Sequence, residues 1–436
     1  MRNRLIAPLL ALVFACFSGS LLAGTPEIQS WTTAKGTKVL FVAAPDLPML
    51  DIRVVFDAGS ARDGEHAGLA AFTNGMLTEG AGEWDADALA RRVEDRAIML
   101  GSGSRRDMAW VSVRTLSEKH TRDIAVDTLG TVLALPRFDE GATERVRQQM
   151  IVARRQALQS PATVASERFY KALYGTHPYA HPPGGSEDSL GQIGRDQLRQ
   201  FHSRYYVAAN AVIAMVGDID RSEAEAIVET LTDGLQKGRH APPLAEPARV
   251  KGGELREAFP SSQTTLMIGQ LGMARGDPDY FPLYVGNHAL GGGSLVSLLG
   301  DEVRNKRGLS YSVYSFFSAM RAPGPFLMVA QTKNEKADES LRVMRDTLQR
   351  FIEVGPSEVM LESSKKNLIG GFPLKIASNS DIVEYISMIG FYDLPLDWLE
   401  TLTDKIAAVD LDQVLSAFRR RVDPGNSIVV AVGGTP

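Results

Sequence analysis

The chain has 436 residues, 44% of them apolar and 23% charged, an ordinary globular composition that excludes a disordered tail, a collagen or a small disulfide scaffold. At about 100–200 residues per domain, this length predicts two or three domains. Lys and Arg number 47 against 52 Asp and Glu, a net charge of −5, so nucleic acid is not an expected partner, and the single cysteine, Cys16, excludes an internal disulfide and a cysteine-based zinc site.

Arg2 and Arg4 precede an apolar run from Leu5 to Phe17 that continues loosely to Leu22. A basic start, an apolar stretch and small residues predict a secretory signal over residues 1–23, cut near Ala23. The expected localisation is periplasmic or otherwise exported. Lipidation at Cys16 is the rival use of the same segment. Ser18, Gly19 and Ser20 interrupt the run, spanning needs about 20 predominantly apolar residues, and no second such run follows, so no membrane span is expected.

Lys38 to Ala43 and Leu50 to Ala58 read as strands around a Pro45–Pro48 turn. Glu65 to Leu77 has helical spacing, with Leu69, Phe72 and Met76 on one face. Asp85 to Leu100 reads as a helix, Met108 to Val113 as a strand, and Glu118 to Leu135 and Glu140 to Tyr174 as long helical stretches. His177 to Gly185 is a Pro/Gly loop. A helix over Arg195 to Tyr205 leads into strand Ala211 to Val216 and then Gly217. A Pro-rich linker follows at 237–249. The second half opens with strand Thr264 to Gly269 and a helix near Tyr280 to Leu290. It closes with a helix over Leu411 to Arg421 and strand Ser427 to Val432. Asn210 lies seven residues before Gly217, and Asn426 seven before Gly433. This is an internal repeat offset by 216 residues. It divides the chain into a unit at 27–236 and a unit at 250–436. Strands and helices do not alternate as βαβ, so the expected class is α+β: two homologous domains, each a mainly antiparallel sheet with helices packed on one face.

Two segments carry a family resemblance. Asp57 to Asp63 followed by Ala67 to Ala81 resembles the motif helix of the insulinase/pitrilysin metallopeptidases, which include the mitochondrial processing peptidase. The resemblance covers nearly everything after the signal and implies that the two units form half of a clam-shell chamber. Active members carry His-x-x-Glu-His in that helix. Residues at i and i+4 share a helix face, so two imidazoles can hold one zinc beside a general-base Glu. Here the first His position falls on Ala71, the Glu on Asn74 and the second His on Gly75. The family's third ligand, a Glu about 76 residues further on, falls on Ile151 or its neighbour Val152. The resemblance therefore implies that this chain holds no catalytic zinc.

The second segment is Leu299 to Tyr314. It matches the family pattern of an Arg near a helix end, a Gly-Leu, and a Tyr seven residues after the Arg. Those positions are Arg304 and Tyr311. In the family this Arg holds the substrate backbone and this Tyr donates to the developing oxyanion. Read without the motif, Arg304 is a surface helix charge and Tyr311 a sheet residue with a wet hydroxyl. Arg307, one turn on, is the other candidate contact. Gly308 suits a left-handed cap, and Tyr311 and Val313 are expected to share one face of a strand. The family also binds peptide by β-augmentation. The matching stretch runs from Ile98 to Arg106, where Gly101, Ser102 and Gly103 would let a peptide backbone approach. A plain Gly/Ser turn is the alternative there. Arg105 and Arg106 would favour acidic peptides.

His177 and His181 are four apart, but Pro178, Pro182 and Pro183 forbid a helix between them. These two, with His66 and His288, read as satisfied structural or surface histidines. Gly291-Gly-Gly-Ser reads as a helix-ending turn. The resemblance implies the non-zinc subunit of an exported heterodimeric zinc peptidase, supplying Arg304 and Tyr311 in trans. Its partner would be a homologous subunit with His-x-x-Glu-His, carrying the zinc, and its substrate a peptide. A peptide-binding or scaffold pseudopeptidase without catalytic role is the alternative. A third reading is an autonomous peptidase with a displaced metal site.

Overall fold

Two sheets with one shared strand order organise the computed structural model, which describes residues 26–293 and 296–434. The predicted signal, with Cys16, lies outside the described residues. The strands of the first half are β1 (Gln29–Thr32), β2 (Lys38–Ala43), β3 (Met49–Phe56), a short pair β4 (Gly80–Ala81) and β5 (Trp84–Asp85), β6 (Met99–Ser104), β7 (Ala109–Leu116) and β8 (Ala211–Gly217). Its helices are α1 (Leu69–Met76), α2 (Ala86–Glu94), α3 (Lys119–Ala134), α4 (Glu140–Ala157), α5 (Pro161–Tyr174), α6 (Glu187–Gln192), α7 (Arg195–Tyr205) and α8 (Arg221–Asp233). The second half holds β9 (Gly253–Glu257), β10 (Gln263–Leu271), β11 (Ser310–Phe317), β12 (Pro325–Lys333) and β13 (Ile428–Val432). With them run α9 (Tyr280–Asn287), α10 (Ala337–Val354), α11 (Glu358–Gly371), α12 (Asn379–Phe391), α13 (Trp398–Ala407) and α14 (Leu411–Arg421). No helix among the described residues is long and apolar enough to cross a membrane.

The first sheet has the order β1-β2-β8-β3-β7-β6 and the second β11-β12-β10-β13-β9. The β2–β8 and β9–β13 pairs are parallel and the other pairs antiparallel. Adding 216 to the residue number carries α7 onto α14 and β3, β7 and β8 onto β10, β12 and β13, to within two residues. The repeat read in the sequence is thus a repeat of topology. Its two signature asparagines do matching work. The Asn210 Oδ1 accepts the Ala241 N–H at 3.0 Å, and the Asn426 Oδ1 accepts the Gly252 N–H at 2.6 Å. Each ties one end of the inter-unit segment to its own half.

Local chemistry explains where elements start and stop. The expected helix from Glu65 begins at Leu69 instead. Gly68 is left-handed, with φ +95°, and the buried Asp63 carboxylate accepts the N–H groups of Gly68 and Ala70 at 2.7 Å each. The expected helix from Asp85 to Leu100 stops at Glu94. Ala97 takes φ +53°, and Met99 and Leu100 pair with β7 instead. The stretch from Glu140 to Tyr174 is two helices, because Pro161 opens the second at its first position.

The two halves exchange one helix each. α5 belongs to the first half but packs on β10 and β13 of the second sheet. α12, its repeat counterpart, packs on β3 and β8 of the first sheet. Each sheet has its own helices on one face, as expected, and a helix from the opposite half on the other. This is why β8 reads as an uninterrupted apolar run and is buried on both faces. Val39, Phe41 and Ile213 lie in the first half's own core, whereas Leu40, Val212 and Ala214 join a core dominated by the second half. α12 approaches so closely that a Cβ at Gly390 would sit 2.4 Å from the Leu40 Cδ1.

Candidate functional site

α1 packs against α4, α7, β6 and β7. Ala71 is half-buried, and Gly75 is open enough that a Cβ there would meet nothing within 4 Å. Asn74 is buried and committed elsewhere. Its side-chain amide donates to the Trp110 carbonyl at 3.1 Å and to the Tyr206 hydroxyl at 3.2 Å. Burial holds that phenol well above its ordinary pKa, so it stays a neutral hydroxyl. A carboxylate at position 74 would face the Trp110 carbonyl acceptor to acceptor. Ile151, on α4, is buried in the same apolar core as α1, and its neighbour Val152 points outward. Ala71, Gly75, Ile151 and Val152 offer no ligand atom, and the Asn74 amide is committed to Trp110 and Tyr206. Among the described residues, no three His, Cys, Asp or Glu gather as a metal site.

The second motif does come together. Gly300–Asn305 is a turn of π-helix, ended by Gly308 at φ +59°. The Gly308 N–H donates to the Arg304 carbonyl and the Leu309 N–H to the Val303 carbonyl, each at 2.9 Å, which closes a left-handed cap. The chain then enters β11, an edge strand. Ser310 pairs with Thr332 and Ser312 with Gln331, so Tyr311 is the extra residue of a β-bulge. The bulge overturns the expectation that Tyr311 and Val313 share a face: Tyr311 is 83% exposed while Val313 is buried. The Arg304 guanidinium lies 5.1 Å from the Tyr311 ring centroid. Arg307 is tied down, its guanidinium donating to the Glu302 carbonyl at 2.7 Å and carboxylate at 2.6 Å. Hydrogen bonds from Lys306 and Arg307 hold the Glu302 carboxyl below its ordinary pKa. Of the two candidate arginines, Arg307 is paired with Glu302 and Arg304 has no carboxylate partner among the described residues.

Gly101, Ser102 and Gly103 are not a turn. They lie in β6, an edge strand paired only to β7. Its free edge leaves backbone groups unpaired, as β-augmentation requires. Gly103 also has an internal reason to be glycine, because a Cβ there would fall 2.2 Å from the Trp110 Cζ2. Gly103→Ala is therefore expected to displace the indole from the Arg53 guanidinium, now 4.2 Å from its centroid, and to destabilise the fold by about 1–3 kcal/mol. A urea titration followed by tryptophan fluorescence checks this. An unchanged midpoint and emission maximum would contradict it.

Three of the four histidines singled out in the sequence have side-chain partners, and His66 is half-buried near the start of α1. The His177 Nε2 bonds the Ala245 carbonyl at 2.9 Å, and its Nδ1 accepts the Tyr179 N–H. The His181 Nε2 meets the Asp63 carboxylate at 3.0 Å and the Ser60 carbonyl at 3.1 Å. The His288 Nε2 pairs with the Asn367 side chain at 3.1 Å.

Sequence reading missed Asp107, which joins the halves. Its buried carboxylate accepts the hydroxyls of Tyr179 and Tyr392 and the Arg321 N–H, the latter two at 2.8 Å. Beside it opens a cleft of about 590 Å³, lined from both halves. Its residues come from scattered segments, so no local pattern marks them.

The first half, residues 38–185, matches the model of the insulinase family, peptidase family M16, and residues 192–368 match the model of the peptidase M16 inactive domain. A crystal structure described as a peptidase M16 inactive domain from Pseudomonas fluorescens superposes with a TM-score of 0.91. It is 40% identical, over 94% of this chain and 98% of that one. The structure of a protease from Helicobacter pylori superposes with a TM-score of 0.85 at 18% identity, over 94% of this chain and all of that one, a likeness of fold. In sequence the chain is 26% identical to a Helicobacter pylori protein named non-peptidase homolog YmxG, over 93% of each. It is 25% identical to an uncharacterized zinc protease YmxG of Bacillus subtilis, over 90% of this chain and 95% of that one.

Proposed function

We propose, from the premise that this chain belongs to the insulinase family, peptidase M16, that it is the non-zinc subunit of an exported two-chain zinc peptidase. The observation that carries the reading is a contrast within one chain. The motif helix offers Ala71, Asn74 and Gly75 where zinc chemistry needs ligands and a base, while Arg304 lies against an exposed Tyr311. A guanidinium free of carboxylates and a phenol held out by a bulge are groups placed to meet something outside the chain.

In this reading the partner is a homologous subunit with His-x-x-Glu-His, and its zinc would polarise the scissile carbonyl and activate water. Arg304 holds the peptide backbone. Tyr311 donates its hydroxyl to the carbonyl oxygen as negative charge develops there. Gly101, Ser102 and Gly103 carry the substrate strand along the free edge of β6. The units at 27–236 and 250–436 act as one half of the chamber, and the signal at 1–23 sends the chain to the periplasm.

Purified alone, the chain is expected to bind no stoichiometric zinc and to cleave no peptide. Mixed with the zinc-bearing homologue, it is expected to raise that chain's activity and elute with it. Zinc analysis and a fluorogenic peptide assay check both. One equivalent of zinc in the isolated chain would overturn the reading. A second reading, a peptide-binding pseudopeptidase, is favoured by the non-peptidase name of the Helicobacter pylori relative. Its signature is binding of peptide with no gain of activity on mixing.

A further inference from the structure

The cleft beside Asp107 lies where the exchanged helices α5 and α12 meet the two halves, at the end of β6 marked by Ser104. Five cationic side chains line it: Arg53, Arg105, Arg106, Arg275 and Lys375. Three carboxylates line it too, and each is engaged. Asp107 accepts two tyrosine hydroxyls and a backbone N–H. Asp381 accepts the Ser378 hydroxyl at 2.6 Å, and Glu384 stands 3.8 Å from Arg105. Among the described residues the other four cations have no ion pair, although the Glu384 charge also reaches Arg53 and favours its charged form. Arg53 stacks on Trp110, Arg106 lies 3.6 Å from the Tyr170 ring centroid, Arg275 lies 5.4 Å from that of Tyr392, and Lys375 donates to the Tyr284 hydroxyl. The Nε atoms of Arg53 and Arg275 are buried without a hydrogen-bond partner among the described residues.

In a chain whose net charge is −5, this concentration of unpaired cations is against the average. Burial pushes the guanidinium groups of Arg53 and Arg106 below their ordinary pKa, because a charge removed from water is costly unless a counter-charge replaces the water. Planar guanidinium forks match carboxylates two bonds at a time. The walls contributed by Tyr170, Tyr385 and Tyr392 are aromatic, the lining that ligand clefts of this size use for bulk contact.

We infer that this cleft is a carboxylate-recognition site, taking acidic side chains of a peptide that leaves the free edge of β6 at Ser104. The site is separate from Arg304 and Tyr311, neither of which lines the cleft. The inference stands whether or not the chain serves a catalytic partner.

The test uses the isolated chain and three blocked fluorescent octapeptides: one with four Glu, one with Gln in their place, and the Gln peptide with a free C-terminal carboxylate. The Glu peptide is expected to bind at least tenfold more tightly than the blocked Gln peptide, with affinity falling as salt rises. Arg53→Gln and Arg275→Gln are each expected to weaken it about tenfold. Lys375→Gln, exposed at the rim, is expected to weaken it two- to fivefold, and it keeps the test decisive if an arginine variant fails to fold. Equal binding of Glu and blocked Gln peptides, or binding unmoved by the folded variants, would overturn the proposal. So would equal tightness of the free-carboxylate Gln peptide, which would assign the cleft to a chain terminus. Full displacement by inorganic phosphate at the peptide's own Kd would assign it to small anions and likewise overturn it.

Discussion

Under the proposed two-chain reading, Tyr311→Phe is expected to lower kcat of the mixture with the zinc-bearing homologue by about 10²–10³-fold, the usual loss for one oxyanion donor, with KM little changed. The hydroxyl is the only group removed. Tyr311 is 83% exposed and is the bulge residue outside the β11 ladder, so losing its hydroxyl leaves packing intact. A hydroxyl that meets charge present only in the transition state acts on kcat. Arg304→Ala is expected to act differently, raising KM and lowering kcat/KM by about 10–10²-fold, because a guanidinium that grips backbone carbonyls binds the ground state as well. Arg307→Ala is the internal comparison. Its guanidinium is spent on Glu302, so the effect should be confined to a small loss of stability. Steady-state kinetics of the three variants, each mixed with wild-type partner, separate these outcomes. Full activity in Tyr311→Phe and Arg304→Ala would refute the catalytic assignment and leave the pseudopeptidase reading.

Asp107→Ala should cost about 3–5 kcal/mol of stability. The substitution orphans the Tyr179 hydroxyl, the Tyr392 hydroxyl and the Arg321 N–H, and each donor left buried without an acceptor costs about 1–3 kcal/mol. Tyr392 is only partly buried, so water repays some of its share. Burial first, and then the adjacent carboxylate, keep both phenols far above their ordinary pKa, so they remain donors at all working pH values. Asp107→Asn keeps one acceptor and should cost less. Because the contacts span the halves, urea unfolding of the alanine variant should also broaden or split into two transitions. A midpoint within experimental scatter of wild type would show that the Asp107 contacts contribute nothing to holding the halves together.

The boundaries that sequence predicted best are those set by contacts a few residues long. α7 and α14 fall where their periodicity placed them: α14 opens on a capping box at Asp410, and α7 opens at Gly194, whose N–H donates to the Gln197 side chain. Gly308 caps as expected because its left-handed φ is a local demand. That residues 69–76 carry no His, Cys, Asp or Glu was equally legible, since it needs no fold to be noticed. Met99 and Leu100 misled, because their apolar pattern suits a helix until β7 supplies hydrogen bonds at the sheet edge.

The duplication at 216 residues, the α+β class and the family were legible in the sequence alone. Tertiary structure alone decided that α5 and α12 cross to opposite sheets, that a bulge turns Tyr311 outward, that Glu302 captures Arg307 and leaves Arg304 free, and that Asp107 faces Tyr392. Periodicity and caps are written into neighbouring residues. Asp107 and Tyr392 are 285 positions apart, and only the closing of two sheets around two exchanged helices brings them within a hydrogen bond.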